Sequence, residues 1–435
     1  MWRSILRGAG MLFLLACVRL ALPPDVAAAS SGKIIYSFAG GADGAYPESD
    51  LIMDSAGNLY GTTSAGGTGC GNNGCGTVFE LARTKNGWKH QVLYSFAGSP
   101  NDGADPKAGL AFDSAGNLYG TTTGGGDSNC GGGCGTVLRL APNSRGGWTE
   151  SILYRFGGYS GGMHPASDLV FDSQGNLYGT AGGGTGTGFC GGQFWGGDGC
   201  GIVFRLTPNP DGTWTESTIY DFAGAPDAAV PIGSLVLDVD GSMYGATSYG
   251  GPGPCILGHN EFNPPYGCGA LYKLTPSGGG WKETVIYSFS RGQGLARNPS
   301  GGLILDKPGR LLGTSWYGGD GDGAFFQLEQ TKEGWEQSIP YRFYGNPDGS
   351  HPVGRLSVGP QGNLFGAGGG GTNRSGTVFE LERTTRGWKE RVVFSFGSAD
   401  VGPSAGPTVN SQDHVYGTLS DIYSSHFGEV YEVIP

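Results

Sequence analysis

LIMDSAGNLYG, residues 51–61, decides the fold, because the chain writes this phrase seven times. It returns as LAFDSAGNLYG from Leu110, LVFDSQGNLYG from Leu169 and LVLDVDGSMYG from Leu235. Looser copies follow from Leu303 (LILDKPGRLLG), Leu356 (LSVGPQGNLFG) and Pro407 (PTVNSQDHVYG). The closing glycines, Gly61, Gly120, Gly179, Gly245, Gly313, Gly366 and Gly417, stand 51 to 68 residues apart. Self-similarity at such a period, with loop insertions allowed for, marks a propeller or an array built by stacking one supersecondary unit.

The second copy shows what the unit contains. LAFD (110–113) and NLYGTT (117–122) are short alternating runs joined by Ser-Ala-Gly, a tight hairpin signal. A Gly-rich loop leads to GTVLRL (135–140), and the turn APNSRGG leads to WTESILYRF (148–156). These four runs are strands A to D, and seven copies predict 28 strands with no helix after the leader. Glycine supplies 88 of 435 residues, well above the usual ~7%, but it falls in turns and not in a G-x-y period, so collagen and disorder are poor readings.

A four-stranded meander must bury both faces against its neighbours. An open β-solenoid uses far fewer residues per coil, whereas radial stacking leaves only short, protected edges. The expected fold class is therefore all-β: a seven-bladed β-propeller with four antiparallel strands per blade, forming a single domain over 33–435. The ends of the chain fit a ring. KIIYSF (33–38) is a D-type strand without its Trp, and EVYEVIP (429–435) is a C-type strand without its D. The N-terminal strand is expected to complete the seventh blade. The other phase makes KIIYSF the innermost strand of the first blade.

With 26 basic and 37 acidic residues the net charge is −11, which argues against nucleic acid and against an anionic membrane surface. Residues 1–29 read as a signal peptide: Arg3 and Arg7 precede the apolar stretch 11–18, and Ala27-Ala28-Ala29 is a small-residue cleavage site. Leu14-Leu15-Ala16-Cys17 also resembles a bacterial lipobox, giving a leader 1–16, a lipid on Cys17 and a tether 17–32. Both processings stay open. Either implies export to the periplasm, outer surface or exterior, and the apolar run is too short to leave a spanning helix. The remaining cysteines form four local pairs at one repeat position, between strands B and C: Cys70/Cys75, Cys130/Cys134, Cys190/Cys200 and Cys255/Cys268. Even count, local pairing and a leader predict disulfides. Zinc is the alternative, weakened because no His stands beside each pair.

In an up-and-down blade the B–C and D–A loops share one face. The A–B turns are near copies, whereas the B–C loops vary, and variation on a rigid scaffold is where binding residues collect. The longest B–C loops carry Trp195, Phe262 and Tyr266, and Trp316 and Tyr317 begin the next. Such aromatics suit stacking on sugar rings; the plainer account is packing on their own loop. Each D–A loop has a proline four residues before strand A, preceded in turn by Tyr46, Asp105, His164, Val230, Asn298, His351 and Gly402. A polar ring of this kind at the channel mouth could bind a metal or supply an acid and a base. Solvent-facing loop residues are the plainer account here too. No nucleophile elbow, H-E-x-x-H, P-loop or EF-hand loop occurs, so no catalytic residue, metal or cofactor is assigned.

The phrases NLYGTT, GTVFEL and GW(K/T)E-x-x-LYSF resemble the bacterial GloVer tandem repeat of the choice-of-anchor proteins, over nearly all of residues 33–435. That resemblance implies an exported, surface-associated, propeller-like protein, with no established activity or catalytic residues. LAFDSAGNLYG is also similar to NHL-type propellers, an analogy of fold. The expected function is an exported, monomeric binding module of the cell envelope, with a polysaccharide or another envelope protein as partner and Tyr46, Asp105, His164, Asn298 and His351 beside the aromatic wall. The alternatives are a lyase or hydrolase at the channel mouth, and a purely structural surface component.

Overall fold

The computed structural model describes residues 30–185, 190, 199–252, 267–290, 295–318, 321–397, 402–420 and 426–435. Seven antiparallel sheets make seven blades, each with strands in the order A-B-C-D from axis to periphery. In blade 2 these are Ala111–Phe112, Leu118–Thr122, Thr136–Pro142 and Trp148–Arg155. The described residues otherwise hold a two-stranded ribbon, Gly103–Ala104 with Gly124–Gly125, and three single-turn 3-10 segments, so the all-β expectation stands.

The A–B hairpin forms because one aspartate organises it. Asp113 Oδ1 accepts the backbone N–H groups of Ala115 and Asn117, and Oδ2 accepts from Asn117 Nδ2 and Tyr119 Oη. Asp54 and Asp172 do the same in blades 1 and 3. These bonds hold the Asp113 and Asp172 carboxyls below their ordinary range despite partial burial.

Aromatic residues of the repeat join blade to blade. The Phe ending strand D of each blade is buried (Phe96, Phe156, Phe222, Phe289, Phe343, Phe396 and Phe38). Several pack edge-on against a strand C ring of the next blade, as Phe156 does on Phe204 (centroids 5.2 Å) and Phe222 on Tyr272 (5.0 Å). The Trp opening strand D packs on a Tyr of the preceding blade, as Trp148 does on Tyr60 and Trp214 on Tyr119.

The ring closes as the incomplete ends predict. Strand Ser31–Ser37 pairs antiparallel with Glu429–Ile434 and is the outermost strand of blade 7, which removes the alternative phase. Lys33 and Glu432 face each other across this pair and form an ion pair of 2.7 Å. Phe38 packs on Phe79 of blade 1 and Phe396 on Tyr431 of blade 7, so the closing blade repeats the contacts of the others.

Cys70–Cys75, Cys130–Cys134 and Cys190–Cys200 are disulfides with Cα separations of 5.3, 5.0 and 4.9 Å. Cys268 is disulfide-bonded too. Its expected partner Cys255 lies outside the described residues, as do Cys17, Trp195, Phe262 and Tyr266. No helix among the described residues is long and apolar enough to cross a membrane.

Candidate functional site

The seams between blades are built from the D–A loop of one blade and the B–C loop of the blade before it. Six of the seven pre-proline residues adopt left-handed backbone: Tyr46, Asp105, His164, Val230, Asn298 and His351, with φ between 46° and 59°. The conformation turns each N–H back across the seam. Asp105 donates to the Cys75 carbonyl at 2.8 Å, His164 to Cys134 at 2.8 Å, Asn298 to Cys268 at 2.9 Å and Tyr46 to Phe427 at 2.7 Å. The next residue, proline, then lies on the glycine that opens strand C of the preceding blade. A Cβ on Gly76 would stand 2.5 Å from Pro106 Cδ, and one on Gly135 would stand 2.6 Å from Pro165 Cδ. The same pairing recurs at every seam, ending with Pro47 on Gly428.

Their side chains differ in what they meet. Thr123, at the end of strand B of blade 2, donates its hydroxyl to Asp105 Oδ2 at 2.8 Å, and its carbonyl lies 2.6 Å from His164 Nδ1. A proton on Nδ1 makes that contact a hydrogen bond and leaves Nε2 as a lone-pair acceptor. Asp105, Thr123 and His164 share a cavity of about 580 Å³ with the Cys130–Cys134 loop and Asn129. Lys107 stands 3.5 Å from Asp105 and 3.9 Å from Glu48, whose carboxyl is pushed up by burial and drawn back by Lys107. The next seam, between blades 3 and 4, holds a cavity of about 160 Å³ in which Ala166, Val230 and Ile232 stand beside His164, Ser167 and Thr180. Asn298 donates to the Ser248 carbonyl (3.2 Å), and Tyr46 lies near Phe427.

The seam between blades 5 and 6 carries the aromatic side chains. Trp316 and Tyr317 end strand Arg310–Tyr317 and are 40% and 37% exposed, a state that among the described aromatic rings they share with Tyr344 and Phe427. His351 of blade 6 lies against both, 5.1 Å from the Trp316 ring and 5.8 Å from the Tyr317 ring. Arg297 pairs with Tyr317 across the A–B strands, and its guanidinium lies over that ring at 5.4 Å. Sequence reasoning named Trp316, Tyr317 and His351 but missed Arg297. Its signal was available. The position two before the proline reads Ala45, Ala104, Met163, Ala229, Arg297, Ser350 and Val401, and only blade 5 places a charge there.

A second missed set lies at the axis, three residues after each proline: Asp50, Gly109, Asp168, Ser234, Gly302, Arg355 and Gly406. Asp50 accepts the Gly406 N–H and Asp168 the Gly109 N–H, both at 2.6 Å, and Ser234 donates to Asp168 at 2.7 Å. The glycines leave room for the charged side chain of the following blade. Burial, then the neighbouring Asp168, raises the Asp50 carboxyl to about 7 against the pull of Arg355 and the Gly406 N–H. Arg355 also borders an aliphatic cavity of about 480 Å³ lined by the inner strands of blades 3 to 6. Among the described residues no cluster of three or more His, Cys, Asp or Glu is placed to hold a metal ion.

The chain belongs to the Gloeobacter/Verrucomicrobia repeat family. The family model matches residues 24–255 and again 255–435. No curated protein matches this family member in sequence. Among solved structures it is similar to a polysaccharide lyase of family PL25, an ulvan lyase bound to -[GlcA(1-4)Rha3S]-, at 10% identity and a TM-score of 0.56, covering 91% of this chain and 94% of that one. It is also similar to a Dyadobacter fermentans DSM 18053 protein of unknown function (11% identity, TM-score 0.43, covering 92% and 98% of the two chains). A Thermus thermophilus protein described as an oxidoreductase (glucose dehydrogenase) matches at 14% identity and a TM-score of 0.41, covering 93% and 100%. At these identities the likeness is one of fold.

Proposed function

We propose that this propeller is an exported glycan-binding module of the cell envelope, binding through the face that carries the B–C and D–A loops. The observation that carries the reading is the pair Trp316 and Tyr317, consecutive in one strand, partly exposed and backed by His351. A sugar ring stacks on such a surface through its C–H face, gaining on the order of 1 kcal/mol per ring by analogy with aromatic pairs. Single sites are therefore weak and suit a polymer that makes several contacts. The disulfides fit an oxidising compartment. Cleavage after Ala29 and lipidation of Cys17 both deliver the ring there. The ulvan lyase gives one precedent, a propeller of the same fold holding a polysaccharide.

A panel of soluble polysaccharides tested against the native protein and a Trp316→Ala/Tyr317→Ala variant checks the reading. Binding by the native ring, lost in a variant whose melting temperature is unchanged, supports it. Equal binding by both proteins overturns it. Shortening of the polymer would move the reading to an enzyme, with Asp105, Thr123 and His164 in their cavity as the first residues to replace.

A further inference from the structure

We infer that the blade 5–6 seam is built for an acidic sugar, a uronate or a sulfated residue, whose anionic group is taken by Arg297 over Tyr317 while its ring lies on the neighbouring Trp316; this rests on the glycan reading above. Three observations converge. Arg297 occupies a position that holds a small or apolar residue in the other six copies, so the fold does not need a guanidinium there. Among the described residues it forms no ion pair or hydrogen bond, and its Nε is buried without a partner. Its position is nevertheless set by its cross-strand partner Tyr317, whose ring centroid lies 5.4 Å from the guanidinium carbon.

A guanidinium held near an aromatic ring still has N–H groups to donate outward. Those groups match the two oxygens of a carboxylate or the oxygens of a sulfate in a bidentate contact. A neutral sugar would leave the charge uncompensated. The net charge of −11 does not oppose this at ordinary ionic strength, since charges beyond about 8 Å are screened at 0.15 M salt and the local cation dominates. His351 touches both rings and ties them to one site, in which Trp316 offers a face for the sugar ring and Arg297, held over Tyr317, a cation for its substituent.

The test measures binding in 0.15 M salt of polygalacturonate (carboxylate), carrageenan (sulfate), their carboxyl-reduced and desulfated forms, and neutral laminarin. The proteins are native, Arg297→Gln, Arg297→Lys and Trp316→Ala/Tyr317→Ala, each with its melting temperature. The expected result is tighter native binding of at least one charged polymer than of its neutralised form. Arg297→Gln should lose about tenfold of that affinity at unchanged melting temperature, and Arg297→Lys should keep part of it; which polymer responds identifies carboxylate or sulfate. Equal binding of charged and neutralised polymers, or an Arg297→Gln protein that binds as the native does, overturns the acidic-sugar assignment and leaves the aromatic platform standing. Charged polymers that bind the Trp316→Ala/Tyr317→Ala protein undiminished overturn the platform itself, and with it this inference.

Discussion

Gly135 and Pro165 show how a single pair of residues sets the spacing of two blades. Gly135 has φ +92°, a conformation that side chains rarely adopt, and its α-carbon is covered by the Pro165 ring. Proline suits the opposite side because its fixed ring offers a rigid surface, and the residue before it, His164, turns its N–H across the seam. A Gly135→Ala substitution combines left-handed strain with a clash that only blade separation relieves, so a loss of ~2–4 kcal/mol is expected. Gly116, φ +81°, sits in a hairpin turn where an added methyl would meet nothing within 4 Å, and Gly116→Ala should cost only ~1 kcal/mol. Urea unfolding of the two variants checks the contrast; equal losses would show that the proline contact contributes nothing.

At the scale of the strand, strand D carries a second seam device, a tyrosine hydrogen-bonded to an aspartate beside a buried glutamate of the next blade. Tyr341 donates to Asp348 at 2.8 Å and stands 3.1 Å from Glu390 of the next blade. Tyr94 donates to Asp102 at 2.9 Å and Tyr220 to Asp227 at 3.1 Å, with Glu150 and Glu283 of the next blade close enough to feel the charge of those aspartates. Burial, and then the neighbouring Asp, pushes Glu150, Glu283 and Glu390 each to about 7, well above the ordinary 4.5. These aspartates also accept backbone N–H groups from both sides, Asp102 from Ala97 and Gly103 and Asp348 from Tyr344 and Gly349. The folded chain holds the three glutamate protons after the unfolded chain has released them. Stability is therefore greatest below about pH 4.5 for these groups and falls as pH rises to about 7; Asp50 acts in the same direction. Lowered carboxyls such as Asp113, Asp172 and Glu432 oppose acidification below that range. The melting temperature should fall by several degrees from pH 5 to pH 8. Replacing Glu150, Glu283 and Glu390 by Gln should flatten the slope, since Gln337 already fills this position in blade 5 and accepts from Tyr287 at 3.1 Å. A triple variant with the native slope would place the pH dependence elsewhere.

For the whole molecule, stability depends on closing the ring. Strand Ser31–Ser37 covers the edge of Glu429–Ile434, and Phe38 fills the seam onto blade 1. Removing residues 30–38 exposes a strand edge and the Phe79 pocket together, so a drop in melting temperature of ten degrees or more and a tendency to self-associate are expected. Calorimetry and light scattering check both. A truncated protein that melts as the native one does would mean that the clasp is decorative.

The repeat made most of this architecture legible. Seven copies of an alternating, turn-punctuated phrase specify strands, blades and even the closing strand, because hairpin chemistry such as that of Asp113 is local and the aromatic pattern can be buried only by stacking. Three of the disulfide pairs were legible for the same reason, since their partners lie within ten residues of each other in one loop. The chemistry of the seams and of the axis was not. Arg297 meets Tyr317 across a strand pair, His351 reaches Trp316 from another blade, and Asp50 meets Gly406 only where the chain's two ends join. Those contacts are set by how blades are rotated about a common axis, which no local pattern encodes. Sequence alone determined the ring; tertiary structure decided which side chains face one another across it, because only closure brings residues more than three hundred positions apart within hydrogen-bonding distance.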